Sequence, residues 1–254
     1  MSLAGILFTI AVIVLIYIVI RYLFKDASNL TTLLSGEIMT TIDSSTLSTN
    51  GTGNASNFAY SVWFYVNDWN YRYGEPKVLF GRMNSSSSSS NGGSVEGVSG
   101  VDPSPLVVLG ALENNLSISL GCFPGANQVP SGNNITAQAV VKKCNVDNIP
   151  IQKWVNLLIS VYGRTMDIYL DGKLVKTCLL PGVAMINQNA NVYLTPMGGF
   201  NGWTSKLQYW PNSINPQQAW NIYTQGYGAS WFNNNYQIKV SFEENGSTKK
   251  SFTI

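Results

Sequence analysis

Histidine is absent from this 254-residue chain, which limits the chemistry that its side chains can do. Without imidazole there is no Ser-His-Asp or Cys-His nucleophile pair and no histidine metal ligand. The 13 acidic residues are scattered and never form an i, i+2, i+4 series, which would place a general acid and a nucleophile on one face of a strand. Glu243 and Glu244 are adjacent, so they point to opposite faces. The sequence therefore predicts no enzyme, no catalytic residue, no metal site and no cofactor.

Acidic loop residues and aromatic rings are the remaining candidates for ligand binding. Four acidic residues fall in predicted loops, where calcium binding is conceivable but a turn role is more common: Asp68, Asp102, Asp147 and Asp171. Five aromatic residues are candidates for lining a sugar groove: Trp69, Tyr71, Tyr73, Trp203 and Trp210. Trp and Tyr are equally expected in a core or at a protein interface, and the sequence shows no polar constellation beside these rings.

The charge pattern excludes one class of partner. Charged residues make up 11% of the chain and the net charge is +2, with no basic cluster. Nucleic-acid binding needs such a cluster, so we expect no nucleic-acid partner.

The 3 cysteines allow at most one intramolecular disulfide. If residues 116–122 and 136–144 pair as a hairpin, Cys122 and Cys144 lie at its opposite ends. Roughly eight residues at about 3.3 Å each would separate them, which is beyond disulfide reach. We therefore expect Cys144 to pair with Cys178. Three free thiols remain the alternative if the domain faces a reducing cytosol.

The N-terminal run LAGILFTIAVIVLIYIVI, residues 3–20, predicts a membrane anchor within residues 1–25. As a helix it would span about 27 Å, close to the thickness of the bilayer core. The residues that mark the anchor and its flank are Leu3, Ile10, Leu15, Ile20, Arg21 and Lys25. No side-chain charge precedes the run and no cleavage motif follows it, so we expect an uncleaved single-pass span rather than a signal peptide.

The side of the membrane on which the domain lies follows from the same flank. Arg21 and Lys25 come after the run, so the positive-inside rule places the C-terminal domain on the cytosolic side. Seven Asn-x-Ser/Thr matches favour the lumenal alternative if they are glycosylated: Asn29, Asn50, Asn54, Asn84, Asn115, Asn134 and Asn245. Both placements remain open from the sequence.

The rest of the chain predicts a polar tether, a β-sandwich and a short helix. Residues 26–56 are rich in Ser, Thr, Asn and Gly and favour a tether. Alternation of apolar residues predicts strands from Phe58 onwards and a three-stranded meander over residues 154–178, with a type I′ turn at Asp171-Gly172. Asn215 as N-cap with Pro216 after it predicts a short helix that ends near Gly226.

Residues 229–254 predict a C-terminal β-hairpin extension of the sandwich. An isolated hairpin is marginal in water, so this one either covers the sandwich or docks a partner by strand addition. The candidate partner-binding residues are Tyr236, Ile238, Lys239, Lys249, Lys250 and Phe252.

Four segments resemble the laminin-G-like, concanavalin-A-like jelly-roll superfamily: FAYSVWFYV, KVLFGR, WVNLLISVYGRTMDIYLDGKLV and GGFNGWTSKLQYWPNSINPQQAWNIYTQG. The resemblance covers residues 57–228 and implies an all-β jelly-roll sandwich, here preceded by one transmembrane helix and carrying one short helix near its end. The Glu-x-Asp-x-x-Glu run of the superfamily's glycosidases is missing. The order of anchor and jelly roll resembles virion membrane proteins of large double-stranded DNA viruses.

This resemblance implies a membrane-anchored structural or interaction protein. We expect a minor virion component that links an inner membrane to the capsid shell, with the lipid bilayer and capsid or other structural proteins as partners. The alternative is a lectin-like adhesion module on a cell or particle surface, with carbohydrate as its ligand.

Overall fold

In a computed structural model of the chain, the side chains of each alternating strand point in turn to the two faces of a sheet. The structure describes residues 28–47, 56–83, 95–98, 103–124 and 140–228, with residues 12, 14 and 15 before them and 239–244 and 247–253 after them. The described residues between 28 and 228 form a sandwich of two antiparallel sheets with one short helix, which confirms the all-β class.

The described strands, in chain order, are β1 Leu34–Ser35, β2 Thr40–Ile42, β3 Phe58–Asp68, β4 Lys77–Met83, β5 Leu106–Leu109, β6 Asn115–Cys122, β7 Val140–Asp147, β8 Trp154–Tyr162, β9 Thr165–Leu170, β10 Lys173–Leu179, β11 Asn191–Leu194, β12 Asn201–Trp210, β13 Lys239–Glu244 and β14 Ser247–Thr253. Sheet A has the order β1-β12-β3-β8-β9-β10, and sheet B has the order β2-β11-β4-β5-β6-β7. Two 3-10 turns occupy Ser44–Leu47 and Pro196–Gly198, and helix α1 is Pro216–Thr224.

The core lies between the two sheets and follows the period-two pattern of the sequence. On β3, the members of the inward series Phe58, Tyr60, Val62, Phe64 and Val66 are each at most 1% exposed. They pack with apolar residues of sheet B in one continuous cluster. The other series of β3 points to the outer face of sheet A, because successive strand side chains alternate between faces.

The predicted meander is present. β8 pairs with β9 and β9 pairs with β10, all antiparallel. Asp171 and Gly172 both have positive φ, 48° and 73°, as the predicted type I′ turn requires. A Cβ at Gly172 would approach the side chains of Trp220 and Tyr223 closely, so this turn also lets α1 pack against the sheet.

Helix α1 starts as the sequence predicts. The Asn215 side chain accepts a hydrogen bond from the Gln218 backbone N–H, and the Gln218 side chain accepts one from the Asn215 N–H, which forms a capping box. Ala219 and Ile222 pack on Leu158 and Tyr169 of sheet A. The helix therefore covers one part of the outer face of this sheet.

Residues 28–47 differ from the predicted tether, because they are built into the sandwich. β1 pairs with β12, with Ser35 opposite Trp203, and β2 pairs with β11. Ile42 and Leu47 are buried in the core at 8% and 4% exposure. The composition predicts a tether because β1 and β2 are short edge strands that pair mainly through backbone groups, so they carry little apolar alternation.

Most of the predicted anchor falls outside the described residues, including Leu3, Ile10, Ile20, Arg21 and Lys25. Leu15 is helical and 63% exposed. Over the part of the chain that the structure describes, no helix combines the length and the apolar character needed to cross a membrane. The transmembrane span therefore remains a prediction.

The described part of the C-terminal extension forms a hairpin. β13 and β14 pair antiparallel in a two-stranded sheet, with Lys239 opposite Thr253 and Phe252 opposite Val240. Lys249 and Lys250 lie in β14. Tyr236 and Ile238 lie outside the described residues.

Candidate functional site

Three aromatic residues form a row across the outer face of sheet A. Strand register places Trp203 of β12 opposite Tyr65 of β3, and Tyr65 opposite Trp154 of β8. The Tyr65 ring centroid lies 5.6 Å from that of Trp203 and 5.7 Å from that of Trp154. We call Trp203, Tyr65 and Trp154 the ring row.

Rings from the segment after β12 extend this row. Tyr227 stacks on Trp154 at 4.3 Å with nearly parallel planes, and it also meets Trp63 at 5.9 Å. Trp63 in turn stacks on Tyr223 of α1 at 5.6 Å. The Ser205 hydroxyl donates to the Tyr227 carbonyl oxygen at 2.6 Å and helps to hold this segment against β12.

The ring row is open to solvent at one end. Trp203 is 44% exposed, whereas Trp63, which precedes Tyr65 by two residues on β3, is only 5% exposed. Tyr65 and Trp154 are half-buried. The rings are therefore fixed by packing but keep accessible apolar surface.

A glycine brings the ring row together. Gly202 precedes Trp203 at a register shift between β12 and β3, with φ of 153°. A Cβ at Gly202 would collide with the Tyr65 carbonyl oxygen. The aromatic-x-Gly-aromatic motif therefore allows the close approach of β12 to β3 that sets Trp203 beside Tyr65.

Polar side chains lie one step further along the same strands. The Asn67 side-chain amide donates to Asn201 Oδ1 at 2.9 Å, and the Asn201 amide donates to Glu37 Oε1 at 2.6 Å. Asn67 follows Tyr65 by two residues and Asn201 precedes Trp203 by two, so both lie next to the ring row. We call Glu37, Asn201 and Asn67 the amide row. The sequence does not reveal this constellation, because its members are far apart along the chain.

The other aromatic candidates are not brought into this row. Trp69 lies over the Lys77 ammonium, with Nζ 5.2 Å from the ring centroid. Trp210 packs against the cluster under α1. Tyr73 is 61% exposed in the segment after β3. Trp203 is thus the one sequence candidate among the three members of the ring row, and Tyr65 and Trp154 were missed because only the cross-strand register shows that they are neighbours.

Two of the acidic candidates serve local roles, and Asp147 is the last residue of β7 rather than a loop residue. Asp68 Oδ1 accepts from the Asn70 backbone N–H at 2.9 Å. Asp171 accepts from the Asn156 N–H at 2.9 Å and lies 3.3 Å from the Lys153 ammonium. Asp102 lies outside the described residues. Across the described ranges, no three His, Cys, Asp or Glu side chains gather as a metal site would require.

A disulfide joins Cys144 of β7 to Cys178 of β10, the pair that the sequence favours, with the Cα atoms 6.4 Å apart. β7 and β10 are edge strands of different sheets, so the bond links the two layers. Cys144 lies opposite Ile118 and Cys122 opposite Val140. Cys122 and Cys144 are therefore four residues apart along the ladder, or about 13 Å, which is closer than the eight residues expected but still beyond disulfide reach.

Cys122 is a free, buried thiol. Burial raises its pKa to about 11, while the charge of Lys142 acts weakly in the opposite direction. A neutral thiol is a poor nucleophile, so this residue is part of the core rather than of a reactive site.

Comparisons with known proteins support the fold. No protein-family model matches the sequence, and no curated protein matches it. A crystal structure of a point mutant of HCR/D is similar with a TM-score of 0.50 and 10% identity, over 75% of this chain and 41% of that chain. The binding domain of botulinum neurotoxin DC in complex with rat synaptotagmin II matches with a TM-score of 0.48 and 14% identity, over 76% of this chain and 42% of that chain.

The chain thus spans about two fifths of the length of these solved chains. At 10% identity the first similarity establishes architecture alone. Together with the two antiparallel sheets, it identifies the described region as a β-sandwich of the jelly-roll type.

Proposed function

We propose that this chain is a membrane-anchored structural and interaction protein, and more specifically a minor virion component that links an inner membrane to a capsid shell. The apolar run of residues 3–20 would hold it in the bilayer as a single-pass span. Arg21 and Lys25 favour a sandwich on the cytosolic side of that membrane.

The observation that carries this proposal is the early start of the sandwich. The Tyr209 backbone N–H donates to the Ser28 carbonyl oxygen at 3.0 Å, and Asn29 forms a bridge with Gln208. The linker between Ile20 and Ser28 is therefore seven residues long and reaches at most about 25 Å. A rigid sandwich held this close to a bilayer is suited to spacing a membrane from a shell rather than to searching for distant partners.

The same connection orients the sandwich. The chain runs from Ser28 beside Tyr209 to Ser35 opposite Trp203, antiparallel to β12. Tyr209 and Trp203 are six residues apart on β12, which corresponds to about 20 Å along the strand. The ring row therefore lies at the end of the sheet away from the proposed anchor.

The disulfide is compatible with a domain on the cytosolic side. Thiols stay reduced in the cytosol, but virion surfaces are among the oxidising environments in which disulfides persist. In this proposal the Cys144–Cys178 bond forms in the particle rather than before assembly.

The proposed contact with the shell is the C-terminal hairpin. β13 and β14 form their own two-stranded sheet, and a two-stranded sheet has two edges that can accept a strand from a partner. The candidate contacts remain Tyr236, Ile238, Lys239, Lys249, Lys250 and Phe252.

A proline substitution in β14 tests this contact. Ser251 lies opposite Ser241 in the hairpin. Ser251→Pro disrupts the strand and should prevent incorporation into particles or co-purification with shell protein, whereas Ser251→Ala at the same position should not. Deletion of residues 236–254 should have the same effect as the proline, with the sandwich still unfolding cooperatively. Normal incorporation of the deleted chain would refute the proposed contact.

A further inference from the structure

The ring row offers an apolar surface of limited size, in which the Tyr65 ring plane is tilted by 59° to that of Trp203 and by 57° to that of Trp154. Its rings lie on three adjacent strands, so the outer two are about 10 Å apart. A stable protein interface needs about 800 Å² from each partner. The ring row is too narrow for a stable protein interface, and its size matches a small ligand made of a few rings.

The amide row supplies hydrogen-bonding groups beside the rings. Each Asn amide has two N–H donors and a carbonyl oxygen with two lone pairs. The bonds from Asn67 to Asn201 and from Asn201 to Glu37 fix the orientation of these groups. Because each bond uses one N–H of its donor amide, a second N–H on each remains for a ligand.

The charges around the row select against anions. Glu37 contributes a carboxylate, and the Lys153 ammonium, next to Trp154, is 3.3 Å from the Asp171 carboxylate. A phosphate, sulfate or sialic acid would be repelled by the Glu37 carboxylate, and among the described residues no lysine or arginine side chain contacts the amide row to offset this repulsion. A neutral ligand rich in hydroxyl groups has no such penalty.

We propose that the ring row and the amide row together form a binding site for a neutral oligosaccharide. The rings of Trp203 and Tyr65 contact the apolar faces of the sugar units, and Trp154, which Tyr227 covers on one face, closes that end of the row. The amides of Asn67 and Asn201 donate to its hydroxyl oxygens, and the Glu37 carboxylate accepts from its hydroxyl groups. The site uses neither the apolar run nor the hairpin, so it is independent of the proposed structural function.

The test uses the full-length chain in phosphatidylcholine nanodiscs, which present no sugar. A glycan array that carries neutral and sialylated oligosaccharides provides the probes. We expect binding to neutral oligosaccharides and little binding to their sialylated counterparts. A chain that binds no neutral oligosaccharide on the array, or that binds only sialylated ones, overturns the proposal.

Two tryptophans of equal exposure provide the matched variants. Trp203 is 44% exposed in the ring row, and Trp220 is 43% exposed on α1, outside that row. Trp203→Ala should weaken binding of the best array ligand at least about tenfold, and Trp220→Ala should leave it within twofold. Asn201→Ala, which breaks the amide row, should also weaken it. Equal binding by the Trp203→Ala variant, with an unchanged melting temperature, places the ligand elsewhere and refutes the site.

Discussion

At the residue scale, Lys77 has unfavourable surroundings for its charge. Its side chain is 0% exposed, and its ammonium has no hydrogen-bond partner among the described residues. The contact with the Trp69 ring offsets part of the cost of burial. Burial is the main cause that lowers the Lys77 pKa, and the charge of Arg72 adds to it, while Asp68 and Glu75 act in the opposite direction.

This lowered pKa predicts a stabilising substitution. The unfolded chain holds the Lys77 proton more tightly than the folded one, so the charge destabilises the fold below the folded pKa, and the cost disappears as the pH rises towards 10.5. Lys77→Met should therefore raise the free energy of unfolding by about 1–3 kcal/mol at pH 7, and by less at pH 10. Urea unfolding at both pH values measures this difference.

The control for Lys77 is an exposed lysine on a strand. Lys173, the first residue of β10, is exposed. Lys173→Met should change the free energy of unfolding by less than about 0.5 kcal/mol at either pH. A destabilised Lys77→Met variant would mean that the contact with Trp69 outweighs the cost of burying the charge.

At the scale of elements, the sequence predicts those parts of the fold that depend on local patterns. β3, the meander β8–β10 and helix α1 follow from period-two alternation, the Asp171-Gly172 turn and the Asn215 cap. β1 and β2 do not, since short edge strands gain their stability from pairing with strands distant in sequence. The ring row and the amide row depend on the same long-range register, so residue types alone identified Trp203 but neither neighbouring ring.

The disulfide between edge strands should carry a measurable part of the stability. Cys144 and Cys178 are separated by 34 residues, for which loop-closure entropy predicts about 3–4 kcal/mol. Cys178→Ser should lower the free energy of unfolding by this amount, and dithiothreitol should have a similar effect on the unmodified chain. The urea midpoint with and without dithiothreitol measures it.

Cys122 provides the control for this pair. Its thiol is free, so a Cys122→Ser variant should retain its sensitivity to dithiothreitol, whatever the cost of placing a hydroxyl in the core. If reduction leaves the midpoint of the unmodified chain unchanged, the bond does not constrain the unfolded state as the entropy argument requires.

At the scale of the whole molecule, the position at which the sandwich begins decides how closely the proposed membrane anchor would hold it to a bilayer. A start at Asn57 would leave a long polar tether and a domain free to move away from the bilayer. The observed start at Ser28 places β1 beside β12 and β2 beside β11, at the edges of sheets A and B. Residues 28–47, which follow the apolar run, thus form one edge of sheet A through β1 and one edge of sheet B through β2.

Two N-terminal deletions and the full-length chain therefore have different expected properties. The full-length chain should stay with membranes after carbonate extraction, because the apolar run of residues 3–20 is predicted to span the bilayer. A chain that starts at Ala27 should be released and should unfold cooperatively. A chain that starts at Asn57 loses Ile42 and Leu47 from the core and uncovers the edges of β11 and β12, so it should be less stable by several kcal/mol and prone to aggregate. Equal stability of the two deleted chains would show that residues 28–47 are a tether after all.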